Sequence, residues 1–471
     1  MDILYLHPFP RGERQARGAA PVGLSTYPVV PMGAVGLCNL LRSRGREVTG
    51  LNLAVERMLD PAFRPEAWLA ARQPAAEVLI DLHWHEHSLG ALQTAEAVRA
   101  AWPGARILLG GLTATIHAEE ILTACPAVDG VVLGDGEGGF ITGAPNLRTR
   151  AGGPTVPPWH ADSATLSALD TVDLAFLAHA EDYRRLLYSH PRRPGPPPTG
   201  RRGHWLCNGR GCAHDCALCG GGRAVHRAVF GRPGITWRTS AAIARDLARL
   251  AALGVEQVAL GLDPELAGPA HLETWLAELP RIGLYLESFR LPSTELLDTL
   301  ARRARLEDTE LALSAWSGDE RLRRRLGPGF DDAALLATVV ALQAREISAS
   351  VFFALGLPGA SEATLARTLD LAHRLLDADR QGLLRLAATP VALDPLAPMA
   401  RTPGAWGMER THPGDLTARL ARGRALAEGR IAPHSPEALG YRVPGLDLEA
   451  HIARWNALAE ERPDAVIPAA P

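Results

Sequence analysis

The chain is 471 residues long and 47% hydrophobic, with a formal net charge of −3. That length suits two or three domains at about 150 residues each, and the near-neutral balance gives no general pull toward nucleic acid or an anionic membrane. Lysine is absent, so all 49 side chains counted as Lys or Arg are arginine; chemistry that needs a lysine amine, whether a pyridoxal Schiff base or a P-loop, is excluded.

The opening segment MDILYLHPFP is strand-like and lacks a basic region ahead of a long apolar core, so no signal peptide is expected. No apolar run approaches the ~20 residues needed to span a bilayer. A cytoplasmic location is the resulting expectation.

Strands and helices then alternate over residues 1–145. DILYLHP, EVTGLNL, EVLIDLHW, ARILLGG and VDGVVLGDGEG read as strands. PMGAVGLCNLLRSRG and SLGALQTAEAVRAAWPG read as helices, stopping at Gly45 and at Pro103-Gly104. Strands separated by helices predict a parallel, doubly wound α/β sheet, whose ligands sit beyond the carboxyl ends of the strands. In DLHWHEHS, His83, His85 and His87 recur at every second residue. On a strand this spacing places all three on one face. They would form a metal or substrate site, or else be polar strand-end residues bonded to neighbouring backbone.

Residues 146–204 break the rhythm. AGGPTVPPWH and HPRRPGPPPTGRRG are rich in Pro, Gly and Arg and predict a linker with a short helical piece. From 205 to 398 the alternation resumes with six strand–helix repeats, expected as HWLCN, EQVALGLD, GLYLESF, TELALSAW, SASVFFALGLPG and LLRLAATPV. Repeats of ~25–40 residues fit a barrel or partial (β/α)6 barrel. Residues 399–471 predict a mostly helical extension. The arginine runs lack interleaved aromatics, which argues against a nucleic-acid site.

Four of the six cysteines lie between Cys207 and Cys219. A structural zinc site usually joins two separated C-x-x-C pairs, and no second pair follows here. A redox C-x-x-C at Cys216 and Cys219 leaves Cys212 unexplained. Three thiols on one short loop suit an iron–sulfur cluster with one iron open, at the strand end where barrel chemistry sits.

With C-x-x-x-C-x-x-C at Cys212, Cys216 and Cys219, the chain resembles the radical SAM superfamily. The resemblance implies a 4Fe–4S cluster on those three cysteines, with S-adenosylmethionine chelating the fourth iron. Leu218 departs from the aromatic residue common before the third cysteine, and Cys207 is read as a buried strand cysteine. ALGLDPEL, LSAWSGDERLRRRLG and FFALGLPGASEATL resemble segments that line SAM, which implies contacts from Asp263, Ser314, Ser317, Gly356 and Gly359, with ordinary turn chemistry as the competing reading.

Residues 2–140 look like the cobalamin-binding domain that precedes some radical SAM barrels. The resemblance places Gly110, Gly111, Thr113, Gly134 and Glu137 nearest the corrin, in a crevice facing the barrel. The D-x-H-x-x-G motif that supplies an axial histidine is missing after the first strand. Together these resemblances imply an enzyme that makes a 5′-deoxyadenosyl radical and methylates an unactivated carbon with cobalamin as carrier. Its partners would be a small-molecule or peptide substrate and an electron donor such as a flavodoxin or ferredoxin. No residue is assigned as catalytic. Two alternatives stand beside it: a cobalamin-independent radical SAM enzyme with a vestigial first domain, and a zinc-stapled binding protein without catalysis.

Overall fold

A computed structural model describes residues 2–9, 28–141 and 146–469. Residues 10–27, part of the stretch that carries the cobalamin-domain resemblance, lie outside the described residues. The chain forms two compact units. The first comprises 1–186, 224–238 and 413–432; the second comprises 187–223, 239–412 and 433–471.

The first unit is built on one sheet. β1 (Ile3–His7), β2 (Val48–Asn52), β3 (Glu77–Asp81), β4 (Arg106–Gly110) and β5 (Gly130–Val132) run parallel in the order β2-β1-β3-β4-β5, and β6 (Leu147–Arg148) adds an antiparallel edge. A central parallel strand is covered on both faces, so its sequence is continuously apolar rather than alternating. β1 shows this, with all five residues buried. Leu4, Leu6, Val78, Ile80, Ile107 and Leu109 form the core with Leu92, Ala95 and Val98 of the Ser88–Ala101 helix. Strand order reverses between β1 and β3, the switch point where such sheets bind ligands.

Distant sequence completes this unit. The Leu416–Ala427 helix adds Leu416 and Leu420 to the same core, and the Glu120 carboxylate accepts from the Leu416 N–H at 2.6 Å. Residues 413–432 therefore do not belong to a separate C-terminal extension. Likewise the stretch expected as a 146–204 linker divides between the units: 146–186 packs into the first, with short helices at Ser163–Ala168 and Ala180–Leu186, and 187–204 enters the second.

The second unit contains β7 (Gly203–Leu206), β8 (Gln257–Leu260), β9 (Gly283–Ser288), β10 (Glu310–Trp316), β11 (Ser348–Leu355) and β12 (Leu384–Pro390), all parallel and ordered in space as in sequence. This is the partial (β/α)6 barrel. A short β13 (Val466–Ile467) extends it beyond β12. Connecting helices start at side-chain caps: Thr239, Ser293, Asp319, Asp331 and Ser361 each accept a backbone N–H of the first turn. The Ser240–Ala252 helix buries Ile243, Leu247 and Leu250 at i, i+4, i+7, the spacing of one helix face.

The amino-terminal end of this sheet is closed by a buried polar group. Gln257 Nε2 donates to the Ser189 and Asp308 carbonyls at 3.0 and 2.9 Å, and Glu310 accepts from the hydroxyls of Ser189 and Ser350. Chemistry is thereby left to the carboxyl end.

Candidate functional site

The cysteine loop leaves the carboxyl end of β7. β7 ends at Leu206, so Cys207 lies one residue past the strand; it is 4% exposed, and its thiol donates to the Gly209 carbonyl at 3.4 Å. Cys212, Cys216 and Cys219 follow on the same loop, near enough for the charges of Cys219 and Cys212 to bear on Cys216. Burial first, then the charges of Cys219 and Cys212, push the Cys216 thiol up to about 11. Burial likewise raises Cys219 to about 11, helped by Asp394 and Cys212. Cys219 is reachable by solvent, yet protein ringing the thiol still desolvates it.

Backbone N–H groups are already aimed at two of these sulfurs. Gly221 donates to Cys219 Sγ at 3.2 Å and His214 to Cys212 Sγ at 3.4 Å. Hydrogen bonds of this type tune cluster thiolates. The loop is held from below: Ala217 donates to the Leu326 carbonyl at 2.9 Å, Met399 donates to the Ala217 carbonyl at 3.2 Å, and a Cβ on Gly220 would strike the Asp394 carboxylate at 2.0 Å. A donor set of three neighbouring thiols on one loop, two of them with N–H···S support, fits an iron–sulfur cluster.

The expected SAM positions fall into two groups. Ser314 lies on the open face of β10, partly exposed. The others are engaged by the protein. Asp263 accepts from the Glu265 N–H, Ser288 Oγ and Arg290 Nε at 3.0, 3.2 and 2.8 Å, locking the ends of β8 and β9 together. Ser317 is 3% exposed, and its hydroxyl accepts from the Asp319 N–H. Gly356 has φ +68 and faces Leu448, which a Cβ would meet at 2.7 Å; its carbonyl accepts from Tyr441 Oη. Gly359, at φ +85, leaves only ordinary contact with Leu322.

In the first unit, the histidines do not share a strand face. β3 ends at Asp81, and His85–His87 form a 3₁₀ turn that opens the next helix. The turn sends His87 inward, fully buried, with its ring edge-on to His7 at 5.0 Å between centroids. His7 Nδ1 lies 2.9 Å from Asp81 Oδ1, and Tyr5 Oη donates to the same oxygen at 2.6 Å. Burial alone would raise the Asp81 pKa, but His7 and Tyr5 more than offset it and hold the carboxyl below its usual range. His7, Asp81 and His87 offer ligand atoms within 4.8 Å of one another, at the switch point between β1 and β3. Sequence reasoning missed His7 and Asp81; the signal was a polar residue ending each of two apolar strands.

The expected corrin positions are largely taken up by the chain itself. Gly111, at φ +116, closes on the Leu82 carbonyl; Thr113 Oγ1 donates to the His83 carbonyl; the Gly134 N–H donates to Thr115 Oγ1; Glu137 is buried. Of the five, Gly110 leaves room beside it, with Val132 no closer than 3.8 Å. The strand order and the switch point between β1 and β3 are those of a sheet that takes ligands at its carboxyl ends.

Comparison with known proteins gives two family matches. Residues 20–142 match the B12 binding domain and residues 209–372 the radical SAM superfamily. No curated protein sequence matches the chain. Among solved structures, the radical S-adenosylmethionine methyltransferase TsrM from Kitasatospora setae, with cobalamin and a 4Fe–4S cluster bound, is similar over 99% of this chain and 92% of its own, at 16% identity and a TM-score of 0.64. The same enzyme with tryptophan substrate and a SAM analogue is similar over 87% of this chain and 79% of its own, again at 16% identity, with a TM-score of 0.58. At that identity the likeness speaks to fold. No helix among the described residues is long and apolar enough to cross a membrane.

Proposed function

Since the chain is a radical SAM superfamily protein carrying a B12-binding domain ahead of its barrel, we propose that it is a cobalamin-dependent radical SAM methyltransferase acting on an unactivated carbon. The observation that carries this reading is the loop after the first barrel strand, where Cys212, Cys216 and Cys219 lie close enough to interact and backbone N–H groups already meet two of their sulfurs. When bound, the cluster and SAM supply a 5′-deoxyadenosyl radical, and cobalamin supplies the methyl group.

The chain's own residues bind and orient. Cys212, Cys216 and Cys219 hold the cluster as thiolates, and the N–H groups of His214 and Gly221 steady two of the sulfurs. Ser314 is available to SAM on the open face of β10, while Asp263 and Ser317 position the strand ends around it. The strand ends of β1, β3 and β4 would carry cobalamin, with Gly110 giving room. An electron comes from a reduced flavodoxin or ferredoxin, and the free cysteines suit a reducing cytoplasm. The substrate is a small molecule or peptide.

The test is anaerobic reconstitution with iron, sulfide and hydroxocobalamin. Cobalt and corrin absorbance should stay with the purified protein, and 5′-deoxyadenosine should form only with SAM and reductant. Cys212→Ala, Cys216→Ala and Cys219→Ala each lose iron, whereas Cys207→Ala retains it. Iron and 5′-deoxyadenosine without cobalt uptake would favour the cobalamin-independent alternative. Zinc in place of iron would sink both.

A further inference from the structure

Two neighbouring apolar strands of the first unit each end on a side chain that can ligate a metal. Leu6 pairs with Ile80 across β1 and β3, so His7 and Asp81 are the next residues along, side by side at the carboxyl ends. The 3₁₀ turn that follows β3 brings in a third. There His87 turns inward, while His85 Nε2 pairs with the Glu86 carboxylate at 2.8 Å. His7 and His87 are 0% exposed and Asp81 6%. Each of the three offers one ligand atom, and those atoms lie within 4.8 Å of one another.

The spacing and the surroundings suit a small divalent ion. His7 Nδ1 lies 3.2 Å from Asp81 Oδ2, close to the ~3.3 Å edge of a tetrahedron whose metal bonds are ~2.0–2.1 Å. Tyr5 Oη donates to the other carboxylate oxygen, Oδ1, at 2.6 Å. It thereby fixes the carboxylate and leaves Oδ2 to the metal, as the outer-shell partners of ligating carboxylates do. Buried charge is costly unless it is paired or coordinates a metal. Two imidazoles and a carboxylate, with no thiolate, suit zinc. Full burial favours four-coordinate zinc over an octahedral ion, which would need three further ligands at the same spot. Zinc takes neutral imidazole, so its binding releases the proton that lies between His7 Nδ1 and Asp81.

We propose that His7, Asp81 and His87 form a structural zinc site, its fourth position taken by a water, that ties the ends of β1 and β3 to the turn opening the next helix. Tyr5 is its positioning residue. The site lies within the first unit and uses none of the cluster cysteines, so it stands independently of the radical SAM reading.

The probe is Zn²⁺ alone, offered to the full chain after treatment with a chelator and followed by desalting. The protein should retain zinc whose X-ray absorption spectrum shows nitrogen and oxygen ligands at ~2.0–2.1 Å; zinc held on thiols would show sulfur at ~2.3 Å instead. Asp81→Asn and His87→Ala should weaken zinc binding by at least about a hundredfold, and Tyr5→Phe, which keeps the ring, by about 10–100-fold. His87→Cys should keep zinc and add a single sulfur at ~2.3 Å, a signature that only a direct ligand gives. Where a ligand variant fails to fold, Tyr5→Phe carries the test, because its packing is unchanged. A parent protein that retains no zinc, zinc held by sulfur alone, or nitrogen- and oxygen-bound zinc indifferent to Asp81→Asn, His87→Cys and Tyr5→Phe overturns the proposal.

Discussion

Gly220 follows the last cluster cysteine and has no free space where a side chain would go. A Cβ there lies 2.0 Å from Asp394 Oδ1, and contacts under 3.0 Å essentially never occur, so the two groups must part by about 1 Å. Asp394 can rotate away at ~0.5–1.5 kcal/mol for an off-rotamer side chain, or the loop can shift, at the ~1–3 kcal/mol typical of overpacking. Gly220→Ala should therefore destabilise the second unit by about 1–3 kcal/mol. In a unit of this size each kcal/mol lowers the melting temperature by about 2–4 °C. Gly221→Ala is the control, since its Cβ meets only Cys219 Sγ, at 3.7 Å. The discriminating variant is Gly220→Ala with Asp394→Ala, measured as a double-mutant cycle by calorimetric melting and by iron retained against a chelator. Removing the carboxylate should recover both readouts. A Gly220→Ala protein as stable as the parent, or a double variant no better than the single, would refute the packing argument.

Two further outcomes follow from buried polar groups. Asp81→Asn removes the negative charge beside His7 and Tyr5 while keeping an acceptor oxygen, and should cost about 1.5–3 kcal/mol at pH 7, the scale of a hydrogen bond to a charged group. Because the folded Asp81 pKa lies below its unfolded value of about 3.9, its contribution is present above that pH and is lost as pH falls through the folded value. Circular dichroism melts should show the gap between parent and variant in full at pH 7 and narrowing below about pH 4. Arg323 is fully buried and donates to the Ser317 and Phe330 carbonyls at 2.9 and 3.2 Å and to Asp332 at 2.6 Å. Arg323→Met should cost about 3–5 kcal/mol in the same melts and loosen the turn after β10, whereas Arg324→Met, whose side chain is half exposed, should cost under ~1 kcal/mol.

The elements most legible in sequence were those whose periodicity is set by burial. β1 and the centre of β4, Ile107–Leu109, are continuously buried runs because parallel strands are covered on both faces, and the cysteine spacing fixes its own loop. Legibility ended where long-range packing decides the structure. The Leu416–Ala427 helix has an ordinary apolar stripe, and nothing in it says that the stripe belongs to a sheet some 300 residues earlier. The histidines of DLHWHEHS have strand spacing, yet β3 stops at Asp81 because the Leu82 N–H turns to the Gly110 carbonyl and Ser88 Oγ takes the His85 carbonyl to close the turn. The strand-end glycines looked open in sequence; in the fold, Gly111 is required by close approach of Leu82 and by its positive φ.

Electron paramagnetic resonance of the anaerobically reduced protein, recorded with and without SAM, shows whether Cys212, Cys216 and Cys219 hold a cluster that SAM reaches. A reduced 4Fe–4S signal should change shape when SAM is added, be preserved in Cys207→Ala and be absent from Cys216→Ala. A signal indifferent to SAM, or a protein that holds zinc on these thiols and gives no signal, would contradict the radical SAM reading.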